Sequence, residues 1–507
     1  MIWISSTNEA ATVSRWQTTA GGFRRTSLWL ALLGLAGFLL ADLEISTTDP
    51  GTELARLGQA LISPDFTATE MLLSALANTL SFAFQGIAFA FVLGFLLALA
   101  WHSRWVRSFS AVIRAVHELF WGLLFLQMTG LSPLTGVLAI GIPYAGIFAK
   151  VFGEFLEEAD RKPVLALPAD SGRLAGFFYA RLPMIIGQVR TYTSYRLECA
   201  IRAATILGFI GLPTLGFHLE TAFRQGDYQE GVALMYLLFV LIGTLRFWLH
   251  RRLVALYLLA ALAWAPPLAT VSAATLRRFL SEDIIPAPLR RPDWQFHDLW
   301  QWFSSLMLEQ GLPGLWQTLV LSSAALLATA LLSLLLFPLV SPHFGGRISR
   351  SGGHLLLVVL RSTPEFLLAF ILLLLLGPSM LPGIMALALH TGAIVAYLSG
   401  RFTAYQPLRA DTPGGLERYA WEVLPRIWPN MLAFLLYRWE IIMRETAVLG
   451  ILGIYTLGFY IDSAFAEFRF DRALLLIALT VALNLLVDAG SRALRRKLRL
   501  PTRDPVP

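Results

Sequence analysis

The sequence predicts an all-α, polytopic membrane protein made of two like-oriented repeats. Three observations carry this. Apolar runs such as 71–100 and 319–340 exceed the roughly 20 residues that a helix needs to cross a bilayer. Only 14% of the 507 residues are charged, against about a quarter in soluble domains, and mean hydropathy is +0.63. A charged, glycine-punctuated phrase is also written twice: Tyr195, Arg196, Glu198, Arg202, Gly208, Gly211 and Gly216 recur as Tyr437, Arg438, Glu440, Arg444, Gly450, Gly453 and Gly458, always 242 residues apart. The runs are too long for barrel strands and lack their strict alternation.

In chain order, the first span is expected near 27–41. It is short and comes after Arg24 and Arg25, as a signal peptide would. The sequence beyond it is not that of a soluble mature domain, so it is read as a retained first helix. Further spans are expected near 71–100, 115–130, 135–153, 184–208 and 231–249, then near 253–272, 313–338, 362–380, 382–400, 430–450 and 473–489. That makes about twelve, six in each of two units, 1–252 and 253–507. Between the second unit's first two spans, 275–312 is polar, with Pro286, Pro288 and Pro292 and then Trp294, Phe296, Trp300 and Trp302. It reads as an external loop with an interfacial amphipathic helix.

The net charge is +7, and its placement sets the topology. Arg15, Arg24 and Arg25 precede the first span; His102, Arg104 and Arg107 come after the second; His250, Arg251 and Arg252 close the first unit; Arg492, Arg495, Arg496, Lys497 and Arg499 close the second. The segment between the first two spans is acidic, with Asp42, Glu44, Asp49, Glu53, Asp65 and Glu70. The positive-inside rule then puts both termini in the cytoplasm. Topology and lipid headgroups account for the basic clusters without a nucleic-acid partner. Cys199 is the only cysteine, which excludes an intrachain disulfide.

The units align beyond the repeated phrase. Asn78-Thr79-Leu80 matches Gln317-Thr318-Leu319, Arg114 and Glu118 match Arg361 and Glu365, and Leu182-Pro183 matches Leu424-Pro425. With both units oriented alike, this is a parallel repeat about an axis along the membrane normal.

Charge at membrane depth costs roughly 2.5–3.5 kcal/mol per residue even on the lenient insertion scale, so a chain that carries it twice has a use for it. Glu198/Arg202 and Glu440/Arg444 have the acid-first i,i+4 spacing that favours intrahelical pairs, and one reading is that they only hold helices together. The other is that Arg196, Arg202, Arg438 and Arg444 give a central route an excess of positive charge, diminished in the second copy by Glu445. Paired guanidinium groups suit a phosphoryl or carboxylate group by charge and fork geometry. The glycines break the helix or let backbones approach. Arg114/Glu118 and Arg361/Glu365 read as interfacial i,i+4 pairs. His390 reads as a hydrogen-bonded interior histidine or as a residue of the route. Lys150 lies opposite Tyr397, so neither is a symmetric requirement. The cytoplasmic loops 160–183 and 406–425 face each other in the repeat. The first holds a short helix-like stretch, 174–180, which is either a surface helix or a grip for a motor protein.

No catalytic or metal site is visible. The chain lacks a Walker-A loop; its only lysines are Lys150, Lys162 and Lys497, none after glycine. It has no His/Cys cluster for zinc and no nucleophile elbow. An ion-gradient-driven secondary transporter of an anion is the alternative, and it requires unpaired acids in the spans. An enzyme acting on lipid-linked phosphate would draw on Asp293, His297 and Asp298, which read more simply as the polar face of an amphipathic helix.

At these residues the chain resembles the permease subunit of phosphonate-type ABC importers. Arg361-Ser-Thr-Pro-Glu365-Phe-Leu is similar to that family's Arg-Thr-x-Pro-Glu-Leu. Ala386-Leu-Ala-Leu-His390-Thr-Gly resembles its Ala-x-Ala-Leu-His-Thr. Tyr195-Arg-x-Glu-x-x-x-Arg-x-Ala-Thr-x-Leu-Gly208 resembles its signature, and Pro163 through Pro183 its ATPase-coupling loop. Family members usually carry one such unit and pair two chains; here two units are fused. Departures are Leu165 for the usual glutamate, Pro413-Gly414-Gly415 in a shortened second loop, Pro143-Tyr144 for His-Thr, and His117 for proline. They imply unequal halves.

The resemblance implies a type I importer core in a bacterial inner membrane, with no cofactor of its own. Two copies of a separate ABC ATPase, carrying ATP and Mg, would dock at the coupling loops through Leu174, Phe177, Arg181, Leu182 and Pro183, and through Arg418, Leu424 and Pro425. An extracytoplasmic binding protein would deliver a phosphonate, phosphite or hypophosphite. The residues expected along its path are Arg196, Glu198, Arg202, Arg438, Glu440, Arg444 and His390.

Overall fold

The computed structural model describes residues 7–47, 49–160, 162–168, 172–264, 272–498 and 500. Residues 265–271 of the span expected near 253–272 lie outside these, as does Arg499. The protein is 82% helical, with no strand among the described residues.

Among the described residues, six helices are long and apolar enough to cross a membrane: Gly21–Leu40, Leu72–Leu99, Pro133–Glu158, Phe296–Leu339, Met380–Thr403 and Phe470–Lys497. Four sharply bent helix pairs raise the count to ten if each is one span, and two shorter apolar helices, Tyr228–Gly243 and Val254–Trp264, complete the set. Among the described residues, six to ten of the expected twelve or so are thus long and apolar enough to cross. The spans expected near 115–130 and 362–380 are second arms of bent pairs: Arg104–Ala115 meets Glu118–Thr129 at 89°, and Arg347–Ser362 meets Glu365–Leu376 at 89°. Each second arm has 12 residues, about 18 Å of helix, short of the roughly 30 Å hydrocarbon core. The break comes at Val116-His117 and Thr363-Pro364, whose backbones are extended; proline disfavours the helical region in the residue before it.

The external segment also differs from expectation. The amphipathic helix Phe296–Leu306 runs through a π-helical turn, Met307–Gly311, into Leu312–Leu336 and a 3-10 turn, Phe337–Leu339, as one 44-residue unit.

Elements recur at the offsets of the sequence repeat. A π-helical turn, Gly176–Arg181, leads into Leu182–Ile206, a 3-10 turn Leu207–Ile210, and Leu215–Gln225. Arg418–Val423, Leu424–Val448, Leu449–Leu452 and Leu457–Ala466 repeat it. Both 3-10 turns end on a left-handed glycine, Gly211 or Gly453, each at φ 91°, a conformation that a Cβ disfavours. The chain then doubles back so tightly that a Cβ on Gly216 or Gly458 would lie 1.7 Å from the carbonyl oxygen of Thr205 or Ala447. The matched Asn-Thr-Leu and Gln-Thr-Leu blocks have the same task. The N–H of Leu215 donates to Thr79 Oγ1 at 2.9 Å, and that of Leu457 to Thr318 Oγ1 at 3.0 Å, capping the returning helix.

The first helix of each unit packs on the other unit. Gly34 and Gly37 sit against Val320, Ser323, Ala324 and Leu327 of Leu312–Leu336, the close approach that small residues permit. Trp428 Nε1 donates to Ser27 Oγ at 3.0 Å. In return, the carbonyl of Ala261 accepts from Ser81 Oγ at 2.9 Å and Gln85 Nε2 at 2.8 Å, and Trp264 Nε1 donates to Asn78 at 3.1 Å. A break at 252 in sequence is therefore not a break in space.

Candidate functional site: a central charged cavity

The helices Leu182–Ile206 and Leu424–Val448 carry the repeated phrase, and between them opens a cavity of about 880 Å³. Arg196, Glu198, Arg202, Arg438, Glu440, Arg444 and His390 all line it. So do Arg114, Lys150 and Arg361, which tip the lining toward positive charge against Glu118, Glu198, Glu365, Glu440 and Glu445. Cationic guanidinium groups held in a partly desolvated space attract an anion far more strongly than they would in water.

Two arginines meet the opposite unit in the same way. Arg202 Nη1 donates to the carbonyl of Arg361 at 3.1 Å, and Arg444 Nη1 to the carbonyl of Arg114 at 3.5 Å. Those carbonyls are freed because their helices end within a residue or two, at the 89° bends. In both arginines Nε is buried without a hydrogen-bond partner. A buried unsatisfied donor costs about 1–3 kcal/mol, so stability alone does not account for either side chain.

The pairing pattern departs from the i,i+4 expectation. Glu198 does lie 3.8 Å from Arg202. Glu440, however, pairs at 3.1 Å with Arg114 of the other unit rather than with Arg444, and Arg444 pairs at 3.2 Å with Glu445. Arg114 also reaches Asp488 at 3.3 Å. Arg361 lies over the Tyr397 ring at 4.4 Å rather than beside Glu365. For Arg114/Glu118 and Arg361/Glu365 the bends explain this: each arginine ends one arm and its glutamate begins the next, so the two share no helix face.

Each of these glutamates has a histidine instead, delivered from non-equivalent positions. His117 Nε2 lies 3.6 Å from Glu118, and His390 Nε2 lies 3.4 Å from Glu365 while its Nδ1 contacts the carbonyl of Thr363 at 2.8 Å. His117 also reaches Glu445 at 3.0 Å. Nothing in the spacing of the sequence pointed to this His117–Glu445 contact. One signal was usable: both residues lack a counterpart in the other unit, where Pro364 and Ala203 stand.

The segments at the other end of the same long helices are paired too. Leu182-Pro183 and Leu424-Pro425 form the first turn of the long helices, where proline is tolerated. Phe177 packs on Phe95, and Arg181 Nη2 donates to the carbonyl of Leu156 at 2.6 Å. Arg418 donates to the carbonyls of Pro413 and His343 at 2.9 and 2.8 Å. Phe177, Arg181 and Arg418 thus tie the turns to the body, and the outward face belongs to Leu174, Phe178 and Tyr179 in one unit and Leu416 and Trp421 in the other.

The chain is similar to known transport permeases. It is 29% identical over 199 residues to the phosphite transport system permease protein PtxC of Stutzerimonas stutzeri, covering 37% of this chain and 72% of that one. It is 24% identical over 423 residues to the phosphate-import permease protein PhnE of Mycolicibacterium smegmatis, 77% of each chain. Over 116 residues it is 31% identical to PhnE2 of Escherichia coli, named for a cryptic phosphonate transport system, covering 23% of this chain and 95% of the relative. No family model matches the chain, and neither does a solved structure.

Proposed function

The chain belongs to the permease family of phosphonate-type ABC importers, and from that premise we propose that it is the membrane subunit of an ATP-driven importer of a phosphonate or a related phosphorus oxyanion such as phosphite or hypophosphite. The observation that carries this reading is the central cavity, whose basic lining exceeds its acidic lining. Relatives named for phosphite, phosphate and phosphonate transport share one chemistry, a tetrahedral phosphorus bearing anionic oxygens, and guanidinium groups match it.

In this reading residues 1–252 and 253–507 are two fused permease halves, parallel in the bilayer of a bacterial inner membrane, with both termini cytoplasmic. Two ABC ATPase subunits, holding ATP and Mg, engage the segments 160–183 and 406–425 at Leu174 and Tyr179 and at Leu416 and Trp421. A binding protein outside the membrane delivers the substrate. ATP-bound ATPases favour one arrangement of the long helices and nucleotide-free ATPases the other, and that difference in stabilisation opens the cavity to alternate sides. An ion-driven carrier would leave unpaired acids in the spans. Here Glu118, Glu198, Glu365, Glu440 and Glu445 each have a basic partner or a histidine within 3.8 Å.

The test is reconstitution of the chain with its ATPase and binding protein in liposomes, and then uptake of labelled methylphosphonate and phosphite. Accumulation that requires ATP hydrolysis is the expected result. Accumulation driven by a proton or sodium gradient without ATP refutes the proposal.

A further inference from the structure

The four repeated arginines occupy four different environments. Arg196 is caged: Nε and Nη2 donate to Tyr192 Oη at 2.8 and 2.7 Å, and the guanidinium lies 5.1 to 5.8 Å from the Tyr144, Tyr192 and Tyr195 rings. Its counterpart Arg438 has Phe434 in place of Tyr192 and Thr391 in place of Tyr144, so the hydroxyl acceptor and one ring are missing. Among the described residues, Arg438 has no hydrogen bond, ion pair or ring contact, yet it lines the cavity.

The other two differ just as much. Arg444 is compensated by Glu445 at 3.2 Å, which His117 holds from the far side at 3.0 Å. Arg202 has Ala203 where Arg444 has Glu445. Its nearest carboxylate, Glu198, is 3.8 Å away and partly exposed, beyond hydrogen-bond distance. Arg196 has no carboxylate beside it either, but Tyr192 occupies its Nε and Nη2, so the guanidinium groups left with free donors and no close carboxylate are Arg202, whose Nε has no partner, and Arg438. Both line the same cavity as Tyr195, His390 and Glu365. The carboxylate there, Glu365, is taken up by His390 at 3.4 Å.

Resting on the reading that the cavity is the path of a phosphorus oxyanion, we propose that the cavity holds one such oxyanion off-axis, between Arg202 and Arg438, while Arg196 and Arg444 form its walls. Arg438 has no internal bond to break before it binds, and Arg202 keeps its Nη1 bond to the Arg361 carbonyl while exchanging the 3.8 Å contact with Glu198. A fused chain permits this division because its two halves carry different residues at Ala203/Glu445, Tyr192/Phe434 and Tyr144/Thr391, which identical paired chains cannot.

Cys199 supplies the probe, being the sole cysteine, lining the cavity and 3.5 Å from Arg202 Nη2. The full chain in lipid nanodiscs is alkylated with uncharged N-ethylmaleimide across a range of methylphosphonate concentrations, with each rate normalised to the same variant without ligand. Methylphosphonate protects the parent chain. R202Q and R438Q each raise the half-protecting concentration by about tenfold or more, as loss of a charge-assisted hydrogen bond requires, whereas R196Q and R444Q raise it by less than about threefold. Arg202→Lys and Arg438→Lys restore part of the protection, which a misfolded cavity would not. Equal shifts in all four glutamine variants, or shifts confined to R196Q and R444Q, overturn the off-axis site and leave the transport reading intact. A parent chain that methylphosphonate never protects, in an assembly that nonetheless shows ATP-dependent uptake, overturns the site itself. Absence of uptake as well sinks the transport reading beneath it.

Discussion

Glu440 and Arg114 form an ion pair at 3.1 Å that joins the second half to the first, and the repeat-related Glu198 and Arg361 form none. Arg114 is 14% and Glu440 23% exposed at the side chain, against 37% for Glu198. Removing one partner of a buried pair costs up to about 3–5 kcal/mol because the other charge stays behind, and less here because Asp488 also meets Arg114 at 3.3 Å; removing a partly exposed carboxylate costs about 1 kcal/mol or less. Glu440→Gln should therefore lower the thermal midpoint in detergent well below that of Glu198→Gln. Equal midpoints would show that the cross-half pair contributes no stability.

The doubled-back turns should tolerate no side chain. Gly216→Ala or Gly458→Ala drives a Cβ into backbone at 1.7 Å. Overpacking costs about 1–3 kcal/mol where side chains yield, and a carbonyl yields less. Either variant should lose at least about 3 kcal/mol, the upper end of that range, seen as a collapse in the yield of monodisperse protein. Gly187→Ala, with nothing within 4 Å of its Cβ, serves as the control and should purify as the parent does.

The exchanged first helix depends on its glycines. At Gly37 a Cβ would stand 2.3 Å from Ser323 Oγ, 2.8 Å from the Ala324 nitrogen and 2.9 Å from the Val320 oxygen, whereas Gly21 meets nothing within 4 Å. Gly37→Val should cost about 1–3 kcal/mol of stability and expose the chain to trypsin at Arg24 and Arg25. Gly21→Val melting and cleaving identically would refute the packing.

Docking of the ATPases should depend on the outward aromatics. Tyr179 and Trp421 are each 81% exposed, so truncating them leaves folding unchanged within about 0.5 kcal/mol. Aromatic anchors at interfaces are worth about 2 kcal/mol or more each. The Tyr179→Ala/Trp421→Ala double variant should retain its melting profile and lose ATPase from affinity-purified complexes by about tenfold or more. Undiminished ATPase retention would place the contact elsewhere.

Much of this protein was legible in one dimension. The repeat showed in residue types and offsets, and the structure gives reasons for blocks that alignment only matched: Thr79 and Thr318 cap returning helices, and Gly216 and Gly458 admit a carbonyl. The 89° bends at His117 and Pro364 were only partly legible, because the charges and Pro364 mark where an apolar arm begins but not the angle at which it leaves. The partners of Arg114 and Arg361 were not legible. An i,i+4 spacing marks partners only while the helix is continuous, and these helices break between the two charges. The tyrosine cage was half visible, since Tyr192 stands four residues before Arg196, but Tyr144 arrives from another helix.

Composition, run length and charge placement by themselves determined that the chain is an all-α membrane protein, that it is written twice, and which charged residues are carried into the apolar part. Those properties come from local transfer energies and from counting. Only the tertiary structure decided which unit each first helix packs on, which charge answers which, and that Arg438, among the described residues, is left without an ion pair. Partners such as Arg114 and Glu440 are 326 residues apart, and no periodicity in a chain specifies a meeting that depends on how two separate helices are tilted toward each other.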